Sequence, residues 1–212
     1  CRPEAQLISL GKHGNGRVLT QAEINERLVG MSQVFGTIVR LKSGDPMVFA
    51  HAAEELDCLT ANAVSFEIVP GVTAALAAAS YAGIPVTHRD TASAVALVTG
   101  QEDAGKTDSA LDFDALARFP GTLVFYMGVT KVHEWTSGLI DAGKPPQTPV
   151  AIIRRCSLPD QLAIYTTLEK TAAELTPASK LRPPVIVVVG EVAKLGPTLS
   201  WFDKRPLFGQ KI

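Results

Sequence analysis

Short apolar runs alternate with amphipathic stretches along the whole chain. Ala5-Gln6-Leu7-Ile8-Ser9-Leu10, Thr37-Ile38-Val39-Arg40-Leu41 and Phe66-Glu67-Ile68-Val69 are strand-sized and rich in large or β-branched apolar residues, the composition that suits a pleated ladder. Between the first two, Thr20-Gln21-Ala22-Glu23 has capping-box spacing, with a Thr oxygen at the helix start and a Glu reaching back to it. A helix is predicted from there to about Ser32, with Ile24, Leu28 and Met31 on one face. A second helix is predicted near Val48 to Asn62. An alanine-rich third runs from Thr73 to Tyr81 and stops at Gly83 and Pro85. Further strands are predicted at Ala94–Thr99, Thr122–Met127, Pro149–Arg154, Gln161–Leu168 and Val185–Val189. They are interleaved with helices at Phe113–Arg118, Lys131–Asp141 and near Thr171–Leu175, and the polar stretch Gln101–Ser109 reads as a loop.

Apolar strands joined by helical crossovers place the chain in the α/β class with a mostly parallel first sheet. Gln161–Leu168 follows the strand ending at Arg154 after the short turn Ser157-Leu158-Pro159-Asp160. That is hairpin spacing, so an antiparallel pair and a mixed second sheet are expected. The reading is two α/β/α domains, residues 1–89 and 90–212, with the boundary at Thr87-His88-Arg89-Asp90. The chain opens on Cys1 and enters a strand at once. The natural start is therefore expected further upstream, with the first strand of the first sheet missing.

Composition narrows the function classes. Of 212 residues, 46% are hydrophobic and 19% charged, which fits a folded globular chain. The formal net charge of -1 supplies no global basic field, so no nucleic-acid partner is expected, while a local pocket for an anionic substrate remains open. Cys1, Cys58 and Cys156 form no CxxC pair, which suits a reduced, cytoplasmic setting. No apolar run approaches the roughly 18 residues of a membrane span. His13, His51, His88 and His133 do not pair at ligand spacing, so no metal is expected. There is no GxGxxG, no GxxxxGK[ST] and no GxSxG in the chain, which leaves phosphate-cradling loops and nucleophile elbows without support.

Two predicted strand ends carry Gly and Pro together, and ligands of open α/β sheets gather beyond the carboxyl ends of strands. In Ser43-Gly44-Asp45-Pro46, Gly44 permits close backbone approach, Asp45 offers an acceptor or an N-cap, and Pro46 can open a helix. In Val69-Pro70-Gly71-Val72-Thr73-Ala74-Ala75, small residues meet free N–H groups at a helix start. Each taken alone also reads as an ordinary strand-to-helix connection or a close-packed alanine helix.

Taken together, Arg40-Leu41-Lys42-Ser43-Gly44-Asp45-Pro46-Met47-Val48-Phe49, Glu54-Glu55, Val69 to Ala75 and Gly83-Ile84-Pro85-Val86-Thr87-His88-Arg89 closely resemble the tetrapyrrole methylase family. They resemble most its branch that methylates uroporphyrinogen III. Gly11-Lys12, Gln21 to Asn25, Tyr126-Met127-Gly128, Pro149-Val150-Ala151 and Asp160-Gln161 extend the resemblance over essentially the whole chain. There are departures. Ser43 stands for a family Gly, and Phe49-Ala50-His51-Ala52-Ala53 lacks two glycines and an arginine. Cys156-Ser157 replaces a family Gly-Thr. A family Gly-rich loop, which helps line the cofactor cleft, and a later Asp, a proposed proton acceptor, have no counterpart.

The resemblance implies methyl transfer from S-adenosyl-L-methionine to C2 and C7 of uroporphyrinogen III. The products are precorrin-2 and S-adenosyl-L-homocysteine, on the route to sirohaem and cobalamin, and the enzyme is a cytoplasmic homodimer. It places the cofactor folded between two domains, at positions matching Ser43, Gly44, Asp45, Val48, Thr73, Ala74, Met127, Cys156 and Pro184. The cofactor carries no phosphate, in keeping with the missing phosphate loop. Lys12 matches the family's proton donor. The alternative is that Lys12, with Arg40 or Lys42, holds carboxylates of the polycarboxylate substrate. His13, Arg17, His88 and Arg89 are further candidates for those carboxylates, against an equal case for solvated surface. Cys156 reads as a backbone contributor, as the glycine it replaces would be. The remaining alternatives are a sister C-methyltransferase acting on a later precorrin, or a non-catalytic piece that binds cofactor or dimerises.

Overall fold

The computed structural model describes residues 3–10, 18–102, 110–176, 179 and 181–210. The chain divides into two compact units, residues 1–72 and 73–212. The alanine-rich helix predicted at Thr73 and the segment up to Arg89 therefore pack with the second unit.

In the first unit, α1 (Gln21–Ser32) starts where the sequence places it. Thr20 accepts from the Glu23 backbone N–H and Glu23 accepts from the Thr20 N–H at 2.8 Å, closing the capping box. Helix α2 (Ala52–Ala61) begins four residues later than predicted, because Phe49 (φ 51°) and His51 (φ 55°) adopt the left-handed conformation and hold 46–51 as a turn. The predicted first sheet is corrected. Residues 5–10, 37–41 and 66–69 carry no strand ladder, and Leu7, Val39, Leu41 and Val69 are exposed. Their β-propensity is real, but a strand exists only where a neighbour satisfies its N–H and C=O groups. Among the described residues of this unit, no two of these segments supply that pairing.

The second unit is a three-layer α/β/α arrangement. Its mixed sheet has the order β1 (Val95–Thr99), β2 (Thr122–Tyr126), β5 (Val185–Val189), β3 (Pro149–Arg154), β4 (Leu162–Thr167). β1 and β2 are parallel, β3 and β4 form the expected antiparallel hairpin, and β5 runs antiparallel to both β2 and β3. Alternation sorts the side chains. Leu123, Phe125, Val150, Ile152, Val187 and Val189 join one core with Trp135 and Leu139 of α5 (Val132–Asp141). Phe125 stacks on Trp135 at 4.3 Å between ring centroids. The opposite face carries α3 (Ala74–Ala82), whose buried Ala75, Ala78, Ala79 and Ala82 form a small-residue stripe at helical spacing. Such a stripe lets the helix backbone approach the sheet closely. Helix α4 (Phe113–Arg118) packs on α5, the short α6 (Thr171–Glu174) follows β4, and α7 (Gly196–Leu199) closes a turn after β5 that the sequence does not reveal. No helix among the described residues is long and apolar enough to cross a membrane.

Candidate active site

In the first unit the two Gly-Pro turns meet. Asp45 uses both carboxylate oxygens on backbone: Oδ1 accepts from Met47 N at 2.8 Å and Oδ2 from Gly71 N at 3.0 Å. The second bond spans 26 residues and staples the two turns together. The approach is so close that a Cβ on Gly71 would lie 2.1 Å from the Gly44 carbonyl oxygen. Gly44 itself has φ 73°, the left-handed region that favours glycine. Ser43 and Gly44 are exposed and Val48 is half-buried. Asp45, read from the sequence as an acceptor or an N-cap, spends both oxygens on backbone N–H groups and shapes the turn.

Arg40 and Lys42, read as candidates for substrate carboxylates, converge on an acid of the same unit. Lys42 Nζ lies 2.8 Å from Glu55 Oε2, and Arg40 donates from Nε and Nη2 to Glu55 Oε1 at 3.2 and 3.1 Å. Gln21 Nε2 donates to the same oxygen at 3.2 Å and to Asn25 Oδ1 at 2.8 Å, and Asn25 Nδ2 donates to the Glu54 carbonyl. Lys42 also donates to the Ala50 carbonyl. Glu55 is the only buried residue among the described residues of this unit. Burial pushes its carboxyl up, but the bonds from Lys42 and Gln21 and the charge of Arg40 outweigh that and hold it below its ordinary value. The helix motif Gln21 to Asn25 therefore docks α1 on α2, and Glu55 organises the strand-end cations.

In the second unit, strand register collects the predicted positions at one end of the sheet. Thr99, Tyr126, Ile186 and Ile153 lie in one cross-strand row. Met127 follows directly, exposed, with φ 52°. Arg155 N donates to the Pro184 carbonyl at 3.2 Å, which places Cys156 beside Pro184. Cys156 sits between two left-handed residues, Arg155 (φ 49°) and Ser157 (φ 69°), and burial pushes its thiol up, so it stays protonated at neutral pH. Thr73 comes to the same end: its hydroxyl lies 2.5 Å from the Tyr126 hydroxyl, which also accepts from Ala75 N at 2.9 Å. Gln161 ties the other end of α3 to the Cys156 turn, accepting from Ser157 N at 2.9 Å and donating to the Tyr81 carbonyl at 3.2 Å.

Outside that edge, His88 Nδ1 accepts from Asp90 N at 3.2 Å within a tight turn bridged to Ala92, and Arg89 is exposed. Lys12, His13 and Arg17 lie outside the described residues. No group of three or more acidic, His or Cys side chains among the described residues is placed to hold a metal ion.

Residues 3–172 match the family profile of the tetrapyrrole (corrin/porphyrin) methylases. The chain belongs to this family. The chain is 45% identical over 191 residues to the S-adenosyl-L-methionine-dependent uroporphyrinogen III methyltransferase of Methanosarcina barkeri, spanning 90% of this chain and 74% of that one. It is 40% identical to the uroporphyrinogen-III C-methyltransferase of Bacillus subtilis over 99% of its own length but 43% of the relative's. It covers 42% of the siroheme synthase of a Psychrobacter species at 41% identity. Its fold matches the crystal structure of the uroporphyrin-III C-methyl transferase of Thermus thermophilus complexed with S-adenyl homocysteine. The TM-score is 0.72 at 36% identity, covering 82% of this chain and 74% of that one.

Three polar residues hold structural roles that the sequence pattern does not reveal: Glu55, Tyr126 and Gln161. All three lie inside the motif segments that carry the resemblance. The available signal was a polar or phenolic side chain next to a strand end or helix start, where a buried partner is most needed.

Proposed function

We propose that this chain transfers methyl groups from S-adenosyl-L-methionine to C2 and C7 of uroporphyrinogen III, giving precorrin-2 and S-adenosyl-L-homocysteine. The observation that carries the reading is the Asp45 staple, which brings bare Gly44 and Gly71 backbone together at the turn the family uses for its cofactor. The donor set supports it. The proposed cofactor positions are Ser43, Gly44, Asp45 and Val48 in the first unit, and Thr73, Ala74, Met127, Cys156 and Pro184 in the second. The first set, taken by itself, offers bare backbone and small side chains, and the second, taken by itself, offers backbone groups, a thioether and a thiol kept neutral by burial. That chemistry suits a ligand with an adenine, a ribose and a sulfonium and no phosphate.

Each transfer needs an electron-rich pyrrole carbon aligned with a sulfonium methyl. The new C–C bond forms as the C–S bond breaks, the electron pair stays on sulfur, and the methylated pyrrole then loses a proton. The methyl is already activated, so orientation is the protein's main contribution, worth about 7–11 kcal/mol when geometry is well held. A homodimer in the cytoplasm belongs to the same reading.

Calorimetry with S-adenosylhomocysteine is expected to show one site per chain, and incubation with uroporphyrinogen III is expected to add two methyl groups, read by product mass. Absence of both binding and methyl incorporation overturns the reading; methylation at other ring positions points to a sister precorrin enzyme. Lys12→Arg separates two roles for that lysine. A proton-transfer role predicts intact binding with lost turnover, because a lysine with an ordinary pKa near 10.4 must have it lowered to exchange protons with the substrate near neutrality, and arginine cannot follow. Unchanged turnover assigns Lys12 to holding substrate carboxylates.

A further inference from the structure

Helix α3 is nine residues long and its N-cap, Thr73, makes no side-chain bond to the helix's own N–H groups. An N-cap Thr ordinarily accepts from the second or third helical N–H. Here that acceptor comes from another element. The Tyr126 hydroxyl, reaching from the end of β2, accepts from Ala75 N, the second helical N–H, at 2.9 Å and pairs with the Thr73 hydroxyl at 2.5 Å. Both residues are buried at this contact. The backbone of the same tyrosine is fixed as well: its carbonyl accepts from Gly100 N at 2.6 Å, just before the chain turns left-handed at Met127.

One residue therefore sets two stretches of backbone, Thr73–Ala74 through its side chain and Met127 through its peptide. We infer that Tyr126 is a positioning residue for methyl-donor binding, capping α3 from the neighbouring strand so that Thr73, Ala74 and Met127 are presented in register. The inference rests on the cofactor reading above. A residue that merely filled the core would act through its ring, and Phe would replace it. A positioning residue acts through its hydroxyl.

The test is Tyr126→Phe, with S-adenosylhomocysteine binding followed by calorimetry and methyl-donor KM and kcat followed by methyl transfer. Loss of the hydroxyl is expected to raise the Kd and the donor KM by about tenfold, with kcat at saturating donor changed far less. Thr73→Val is expected to weaken binding in the same direction and Thr73→Ser to retain it. The double variant Tyr126→Phe/Thr73→Val is expected to lose less than the product of the two single effects, because both remove one shared contact. If Tyr126→Phe does not fold, the contrast between Thr73→Val and Thr73→Ser decides. Wild-type protein that binds S-adenosylhomocysteine while these variants bind it equally well overturns the positioning role alone. Wild-type protein that does not bind it overturns the cofactor reading, and the inference with it.

Discussion

Glu55→Ala is expected to destabilise the first unit by about 3 kcal/mol, the low end of the range for breaking a buried ion pair by removing one partner, because Arg40 keeps part of its side chain in water. The carboxylate is the hub of four donors. Lys42 and Arg40 supply charge, Gln21 a neutral N–H, and the Glu55 and Lys42 side chains are 5% and 10% exposed. Truncation leaves the largely covered Lys42 ammonium with the neutral Ala50 carbonyl in place of a carboxylate, and it removes the bond through which Gln21 docks α1 on α2. Glu55→Gln keeps an acceptor oxygen and should cost less. Chemical denaturation of the three proteins, read by circular dichroism, checks the order; a loss of under about 1 kcal/mol for Glu55→Ala would mean that water replaces the carboxylate.

The same group fixes a pH dependence. Burial opposes ionisation, but Lys42, Gln21 and Arg40 hold the folded-state pKa of Glu55 below the ordinary 4.5. The unfolded chain then takes up the proton first as pH falls. The stabilising contribution is fully present above about pH 4.5 and is lost as pH drops through the lower folded value. The stability difference between wild type and Glu55→Gln should therefore be constant near neutrality and shrink only below that point. A difference that changes between pH 6 and 8 would assign the dependence to another group.

Local chemistry was legible where the partner is close in sequence. Thr20 and Glu23 lie three apart and form the capping box they spell. The short turn at Ser157 to Asp160 forces the β3–β4 hairpin. The insertion of β5 between β2 and β3 was not legible, because an all-apolar strand pairs equally well with any buried neighbour. Residues 37–41 and 66–69 show the converse, since an apolar pattern without an adjacent ladder leaves irregular chain and not a sheet. At the site, the turn residues were legible from glycine and proline. Their partners were not: Asp45 reaches 26 residues to Gly71, and Tyr126 reaches 51 to Ala75. The polar residue that shapes a loop is chosen by three-dimensional proximity, which spacing does not encode.

Gly71→Ala should be the most damaging single substitution at the candidate site, and for a reason that separates it from Gly44→Ala. At Gly71 a Cβ would stand 2.1 Å from the Gly44 carbonyl oxygen and 3.1 Å from its carbon, with Asp45 Cα at 3.5 Å. All three atoms are backbone, so no side chain can swing aside. The two turns must part by more than 1 Å to reach ordinary contact, and that breaks the 3.0 Å bond from Gly71 N to Asp45. Misplacement on that scale costs about a hundredfold in kcat/KM when a site works by orientation. Gly44→Ala meets a milder obstacle, a left-handed φ of 73° that costs a non-glycine residue about 1–2 kcal/mol. Asp45→Ala removes the staple without adding bulk and should fall between them. Steady-state methyl transfer by the three variants, with S-adenosylhomocysteine affinity measured alongside, tests this order. If Gly71→Ala retains kcat/KM within about threefold of wild type, the two turns do not act as one cradle, since a displacement of this size would then leave orientation unchanged.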